Sequence, residues 1–181
     1  KIRLIKSLLK DKPAYKRILI FTSTKAEVNK IVSSLNKAEM NSHGISSDFA
    51  QNERNDILNK FKSGRIRILV ATDVLSRGID IKNIDLIINY EVPNDAEDYV
   101  HRVGRTARAE ETGVAITFVS PGQMHDFKKK KKTIEIDVPN LKLPWSPEST
   151  PAWKTDNNRK KSRNNSSGRK QKYRGKYKGG N

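Results

Sequence analysis

Two short runs, ILIF (18–21) and ILVA (68–71), are apolar at every position, and a third, LIINY (86–90), at all but one. That feature constrains the fold more than any other. A strand that alternates polar and apolar residues buries one face, whereas a strand apolar throughout is buried on both. Strands of that kind belong to a parallel sheet with helices packed on each side. The segments between them change period from two to 3.6, as helical connections require. KIRLIKSLLK (1–10), KAEVNKIVSSLNKAE (25–39), QNERNDILNKFKSG (51–64) and DAEDYVHRVGRTAR (95–108) read as helices. In the third of these, Ile57, Leu58 and Phe61 share a face and Gly64 ends the helix. A weaker strand is expected at HGISSD (43–48) and a further one at GVAITFVS (113–120). The expected fold is α/β, a doubly wound parallel sheet ending soon after residue 120. A last helix and a short strand are expected within PGQMHDFKKKKKTIEI (121–136).

Beyond the sheet the character of the chain changes. Residues 139–153 are punctuated by proline and read as a linker. Between Lys154 and Asn181, eleven lysines and arginines stand against the single acid Asp156, with no Leu, Ile, Val or Phe. Such a segment cannot bury enough surface to offset its ordering entropy, so a disordered basic tail is expected over 154–181. The whole chain carries 37 lysines and arginines against 20 acids, a net charge of +17, which points to a polyanionic partner, nucleic acid first. A membrane is disfavoured, because no apolar run approaches the ~18 residues of a spanning helix and the basic runs have no apolar face. Without cysteine there are no disulfides or thiolate metal sites, and His43, His101 and His125 show no metal-ligand pairing. The chain enters a helical pattern directly at Lys1, with no methionine and no signal-like segment. It is expected to be a piece of something longer.

In an open α/β sheet, ligands bind at the carboxyl ends of the strands. The residues after each apolar run are therefore the candidates: Thr22, Ser23 and Thr24 at a helix start; Thr72 and then Arg77, Gly78 and Asp80; Gln51 and Arg54 opening a helix; and HRVGRTARAE at 101–110. Hydroxyls and free amides at a helix start can hold a phosphate. A helical spacing of three would set Arg102, Arg105 and Arg108 within about a third of the helix circumference, a row aimed at an anion. Each piece has a plainer alternative. Thr24 is an ordinary N-cap, Arg54 pairs with Glu53 or Asp56, Asp80 closes a turn, and the arginine row is a solvated stripe paired with Asp95, Glu97, Asp98, Glu110 and Glu111.

Taken in order, FTSTK, QNER, ATDVLSRGID and YVHRVGRTAR resemble motifs IV, IVa, V and VI of DEAD-box RNA helicases, over residues 1–138. The chain has neither a G-x-x-x-x-G-K-[ST] phosphate loop nor a D-E-A-D string, so it resembles the second of that family's two RecA-like domains. The resemblance implies ATP with Mg2+ as cofactor, held mainly by the absent first domain, and RNA bound without regard to sequence. It implies that Arg105 and Arg108 are arginine fingers, and that Gly78 and Asp80 meet the nucleotide, Asp80 at the ribose. It further implies that Thr24, Arg54 and Thr72 touch the RNA backbone. Arg77, His101 and Arg102 would join the first domain. A cytoplasmic location with no membrane partner is expected. Two departures stand out. The family's His-Gly before motif IVa is replaced by Ser46-Ser47-Asp48, with His43 and Gly44 too early, and motif VI reads Thr-Ala-Arg where Thr-Gly-Arg is common. A DNA helicase of the same superfamily and a non-catalytic basic RNA-binding module are the alternatives. The tail's YRGKYKGG suits RNA contact through phosphate pairing and base stacking, or serves only solubility.

Overall fold

The computed structural model describes residues 1–10, 12–72, 81, 83–106, 113–135 and 137–141. All of them belong to the first of the two units into which the chain divides, Lys1–Thr150. The tail, the linker beyond residue 141, and the candidate residues Arg77, Gly78, Asp80 and Arg108 lie outside the described residues.

The described elements follow the expected alternation: α1 (Ile2–Lys10), β1 (Ile18–Thr22), α2 (Lys25–Asn36), β2 (Ser42–Ile45), α3 (Gln51–Lys62), β3 (Ile68–Thr72), β4 (Leu86–Asn89), α4 (Ala96–Val103), β5 (Val114–Thr117), a 3-10 turn at Pro121–Gln123, and α5 (Met124–Thr133). The strands form one sheet in the order β2-β3-β1-β4-β5, parallel throughout. β1, β3 and β4 are buried at every position. Alternate residues of these strands feed two separate cores. Ile18, Ile20, Ile68, Val70, Leu86 and Ile88 pack with Ile5, Leu9, Val28, Ile31 and Leu35 of α1 and α2 on one face. Leu19, Phe21, Leu69, Ala71 and Ile87 pack with Ile57 and Phe61 of α3 on the other. This is why those runs carry no polar alternation: each side chain has a helix-covered face to enter.

Local chemistry sets the ends. Thr24 caps α2, its hydroxyl accepting from the Glu27 N–H at 3.2 Å. At α3, the Glu53 carboxylate accepts from the Ala50 N–H at 3.0 Å, and Gly64, at φ +77°, takes the chain out of the helix in a conformation glycine adopts without a Cβ clash.

Two expectations are corrected. The helix expected over 95–108 stops at Val103, with Gly104 as its C-cap. The short strand expected near residues 133–136 does not form among the described residues. There α5 continues through Thr133, Ile134 follows on the row of Phe127, Lys130 and Lys131, and Glu135 ends the segment at φ 52°. Lys131 then holds the chain that follows, donating to Asp137 Oδ1 at 3.2 Å and to the Val138 carbonyl at 3.0 Å.

Candidate functional site

From β1 the chain runs through α2 toward one edge of the sheet, and from β4 through α4 toward the other. Neighbouring strands whose connections diverge in this way open a crevice at their carboxyl ends. The strands end nearly flush, with Thr22 level with Thr72 and Phe21 level with Asn89. At the mouth of the crevice the Glu91 carboxylate accepts from both the backbone N–H and the hydroxyl of Ser23. Lys25, at the start of α2, pairs with Asp48 in the loop before α3. These two contacts gather the starts of α2 and α3 and the end of β4 along one edge.

Of the Thr22–Thr24 segment, Thr22 is the last residue of its strand and is 1% exposed, whereas Ser23 and Thr24 are exposed. The plain N-cap reading holds for Thr24, and capping leaves its side chain at the surface. Thr72 is buried at the end of β3. Arg54 stands in the first turn of α3, half-buried, and donates to Gln51 Oε1 at 3.2 Å. The acids that were candidates to neutralise it are engaged elsewhere: Glu53 caps Ala50, and Asp56 pairs with Lys60 at 2.6 Å. Among the described residues Arg54 therefore has no carboxylate partner. Its Nε is enclosed without an acceptor among them. His43 and Gly44 lie within β2, upstream of the α3 start, consistent with their early position in the sequence.

Of the arginine row, Arg102 and Arg105 are described and do not lie on one helix. Because α4 ends at Val103, Arg105 lies in the turn beyond it, and Arg102 turns inward on the same face as Tyr99. Arg102 is 1% exposed, which departs from the expectation that its side chain reaches another domain. Its Nη1 donates to Asn89 Oδ1 at 3.0 Å, and Asn89 Nδ2 donates in turn to Thr117 Oγ1 at 3.1 Å. The guanidinium lies 5.0 Å from the centroid of the Phe21 ring. A buried charge needs such hydrogen-bonded partners. The next anchor is Thr106, buried, whose hydroxyl donates to the Ile84 carbonyl at 2.8 Å. Gly113 packs directly over it: a Cβ there would fall 1.5 Å from Thr106 Oγ1. Arg105, half-exposed, sits between these two anchors, its N–H bonded to the Arg102 carbonyl at 3.2 Å. His101 is exposed on α4. Beside the crevice, Tyr90 is pushed up to about 12, by burial first and then by the Glu27 carboxylate, so it keeps its proton at neutral pH.

Three of these features were not anticipated from the sequence: Asn89, Thr106 and the Ser23–Glu91 contact. The one available signal was Asn89 itself, a polar residue in an otherwise apolar central strand, which must find a buried partner.

The parallel five-stranded α/β sheet, with polar and cationic groups at the carboxyl ends of its strands, is that of a RecA-like domain. Residues 1–110 match the family described as helicase conserved C-terminal domain, and the chain belongs to that family. It is 43% identical over 138 residues to the DEAD-box ATP-dependent RNA helicase CshA of Geobacillus kaustophilus, covering 74% of this chain and 30% of that protein. The chain thus spans less than a third of the length of that curated relative. Among solved structures it is similar to the E. coli DEAD-box protein SrmB bound to regulator of ribonuclease activity A, with TM-score 0.70 and 33% identity over 76% of this chain and 79% of that one. It is also similar to S. cerevisiae Dbp5 bound to RNA and ADP BeF3, with TM-score 0.67 and 28% identity over 72% of this chain and 35% of that one. Among the described residues, no helix is long and apolar enough to cross a membrane.

Proposed function

We propose that this chain is the second RecA-like domain of a cytoplasmic, ATP-dependent DEAD-box RNA helicase that separates short duplexes locally. The observation that carries this reading is the gathering of Thr24 and Arg54 at the carboxyl edge of one sheet, with Arg102 bonded to Asn89 at the end of β4, in a chain of the helicase C-terminal family. Thr24 and Arg54, with Thr72 at the end of β3, hold the RNA sugar-phosphate backbone. Contacts of that kind fix position without reading bases, so binding is indifferent to sequence. ATP supplies a phosphoryl group whose transfer spreads negative charge over its equatorial oxygens. Arg105 and Arg108 are the arginine fingers that stabilise that charge across the cleft to the first domain. His101 and Arg77 face that domain, and Gly78 and Asp80 serve the nucleotide, Asp80 at its ribose. Arg102 acts from inside, as the residue that positions Arg105. Among the described residues no group of three or more His, Asp or Glu side chains is placed to hold a metal ion, and none is assigned to Mg2+.

By the same reading, residues 1–138 are the folded domain, 139–153 the linker and 154–181 an RNA-tethering tail. The hold of Lys131 on Val138 supports the first boundary.

Binding tests the RNA half of this reading. Titration of a labelled RNA strand at increasing salt should show log affinity falling linearly with log salt, and Arg54→Ala should weaken binding and lower the slope by about 0.7, the share of one phosphate contact on a single strand. Removing residues 154–181 should lower it further. Equal or tighter binding to a DNA strand of the same sequence would favour a DNA helicase instead. Turnover tests the other half. With no phosphate loop in the sequence, the 181-residue chain alone should hydrolyse no ATP, with or without RNA; sustained turnover by the purified chain would contradict the assignment of the fingers to a partner domain.

A further inference from the structure

Helix α5 carries five consecutive lysines, Lys128–Lys132, which the reading above leaves unused. They are not equivalent. Phe127, Lys130, Lys131 and Ile134 form a half-buried inner row; Phe127 meets Tyr99 of α4 edge to face at 6.0 Å, and Lys131 holds Asp137 and Val138. His125, Lys128, Lys129 and Lys132 recur at the i, i+3, i+4, i+7 spacing of the opposite face, and all four are exposed. Among the described residues, none of these three lysines is in an ion pair. Of the acids nearest in sequence, Asp126 is turned to His125 at 3.7 Å and Asp137 to Lys131 at 3.2 Å, and Glu135, at positive φ beyond the helix, is in no ion pair among the described residues.

Cations in the last turn of a helix complement its dipole, which accounts for Lys132 but not for Lys128 and Lys129, which precede that turn. Like charges at i, i+3 and i, i+4 destabilise a helix, so the row asks for a negative partner. It offers no aromatic or aliphatic anchor of the kind that fastens a protein interface, and no apolar face to enter a bilayer. What it offers is charge at a regular pitch, with Lys128 and Lys132 about 6 Å apart along the axis. Charge alone suffices for a nucleic acid backbone.

We propose that the outer row of α5, Lys128, Lys129 and Lys132, is a second docking surface for the RNA sugar-phosphate backbone, on a different element from Thr24 and Arg54. It rests on the reading that the chain binds RNA, and it adds a grip that holds RNA outside the cleft.

The test is a salt titration of RNA binding by the 181-residue chain, using a labelled hairpin with a single-stranded flank. The triple variant Lys128→Gln, Lys129→Gln, Lys132→Gln should lower the salt slope by about 2, three contacts at about 0.7 each. The affinity lost should then be about 20-fold greater at ~50 mM than at ~200 mM salt. Lys132→Gln alone should lower the slope by about 0.7. Glutamine and lysine have similar helix propensity, so helical circular dichroism should be unchanged. A control variant removes the same charge from Lys10, Lys37 and Lys62, exposed on α1, after α2 and at the end of α3. It should move the slope much less; an equal fall in both variants would reduce the row to bulk charge and overturn the proposal. An unchanged slope in the triple variant would overturn it too, as would an effect confined to phosphatidylserine vesicles or polyglutamate. A wild-type chain that binds no RNA at ~50 mM salt would instead sink the RNA reading itself.

Discussion

Arg105→Ala in the full-length protein is expected to lower RNA-stimulated ATP turnover by about 10³-fold or more, the range that arginine fingers contribute in related nucleoside triphosphatases. The same change should leave the melting temperature of this domain nearly where it was. Arg105 is half-exposed in the turn after α4, so its side chain does not fill the core. The turn itself is fixed on both sides, by the buried Arg102 before it and by the Thr106 hydroxyl on the Ile84 carbonyl after it. Preorganisation of this kind is what a charge-stabilising group needs, because reorienting it during the reaction would offset what it contributes. The measurement is steady-state ATP hydrolysis with saturating RNA, wild type beside Arg105→Ala and Arg108→Ala, with nucleotide binding followed in parallel. Loss of turnover with binding largely retained would place both arginines at the transferred phosphoryl group. Undiminished turnover would make Arg105 a structural residue and leave RNA binding as the domain's whole contribution.

The sheet was legible in the sequence because its signal is redundant. In ILIF and ILVA every residue enters one of two helix-covered cores, so no local ambiguity of period survives. One helix start was legible as well, since Thr24 is the N-cap that α2 uses, whereas Glu53, read as a partner for Arg54, instead accepts from the Ala50 N–H. The arginine segment was misjudged because spacing alone carries no information about where a helix stops. Three arginines at intervals of three share a face only if the helix continues. The helix ends at Val103 and leaves Arg105 in a turn, whereas Arg102 lies within the helix on the buried face it shares with Tyr99. Contacts between residues distant in sequence were beyond local reading altogether. Ser23 and Glu91 meet only because β1 and β4 are neighbours, and Thr106 reaches Ile84 only after the α4 turn closes. The lysine run showed the opposite limit. Its composition was plain, but its division into an inner and an outer row appears only once Phe127 is seated against Tyr99.

Arg102→Ala should cost the domain about 3 kcal/mol, from the lost charged hydrogen bond and the buried Asn89 left unsatisfied. For a chain of this size that corresponds to a fall in melting temperature of about 6–12 °C. The guanidinium links α4 to Asn89 at the end of β4, lies over Phe21 of β1, and reaches β5 through Asn89 and Thr117. Removing it opens a cavity where three strands and a helix meet. Asn89→Leu should be comparably harmful, since it removes the buried acceptor that Arg102 Nη1 uses. Because the two residues share one interaction, the double variant Arg102→Ala with Asn89→Leu should lose clearly less than the two single losses added together. Thermal unfolding of the four proteins measures that coupling directly. Strict additivity would mean that Arg102 is held by contacts other than Asn89. The catalytic consequence separates the two arginines. Arg102→Ala should lower stability and turnover together, by loosening the turn on which Arg105 stands, whereas Arg105→Ala should lower turnover alone. If Arg102→Ala melted like wild type yet lost turnover, Arg102 would itself have to reach the reacting groups, and the positioning role assigned to it would fall.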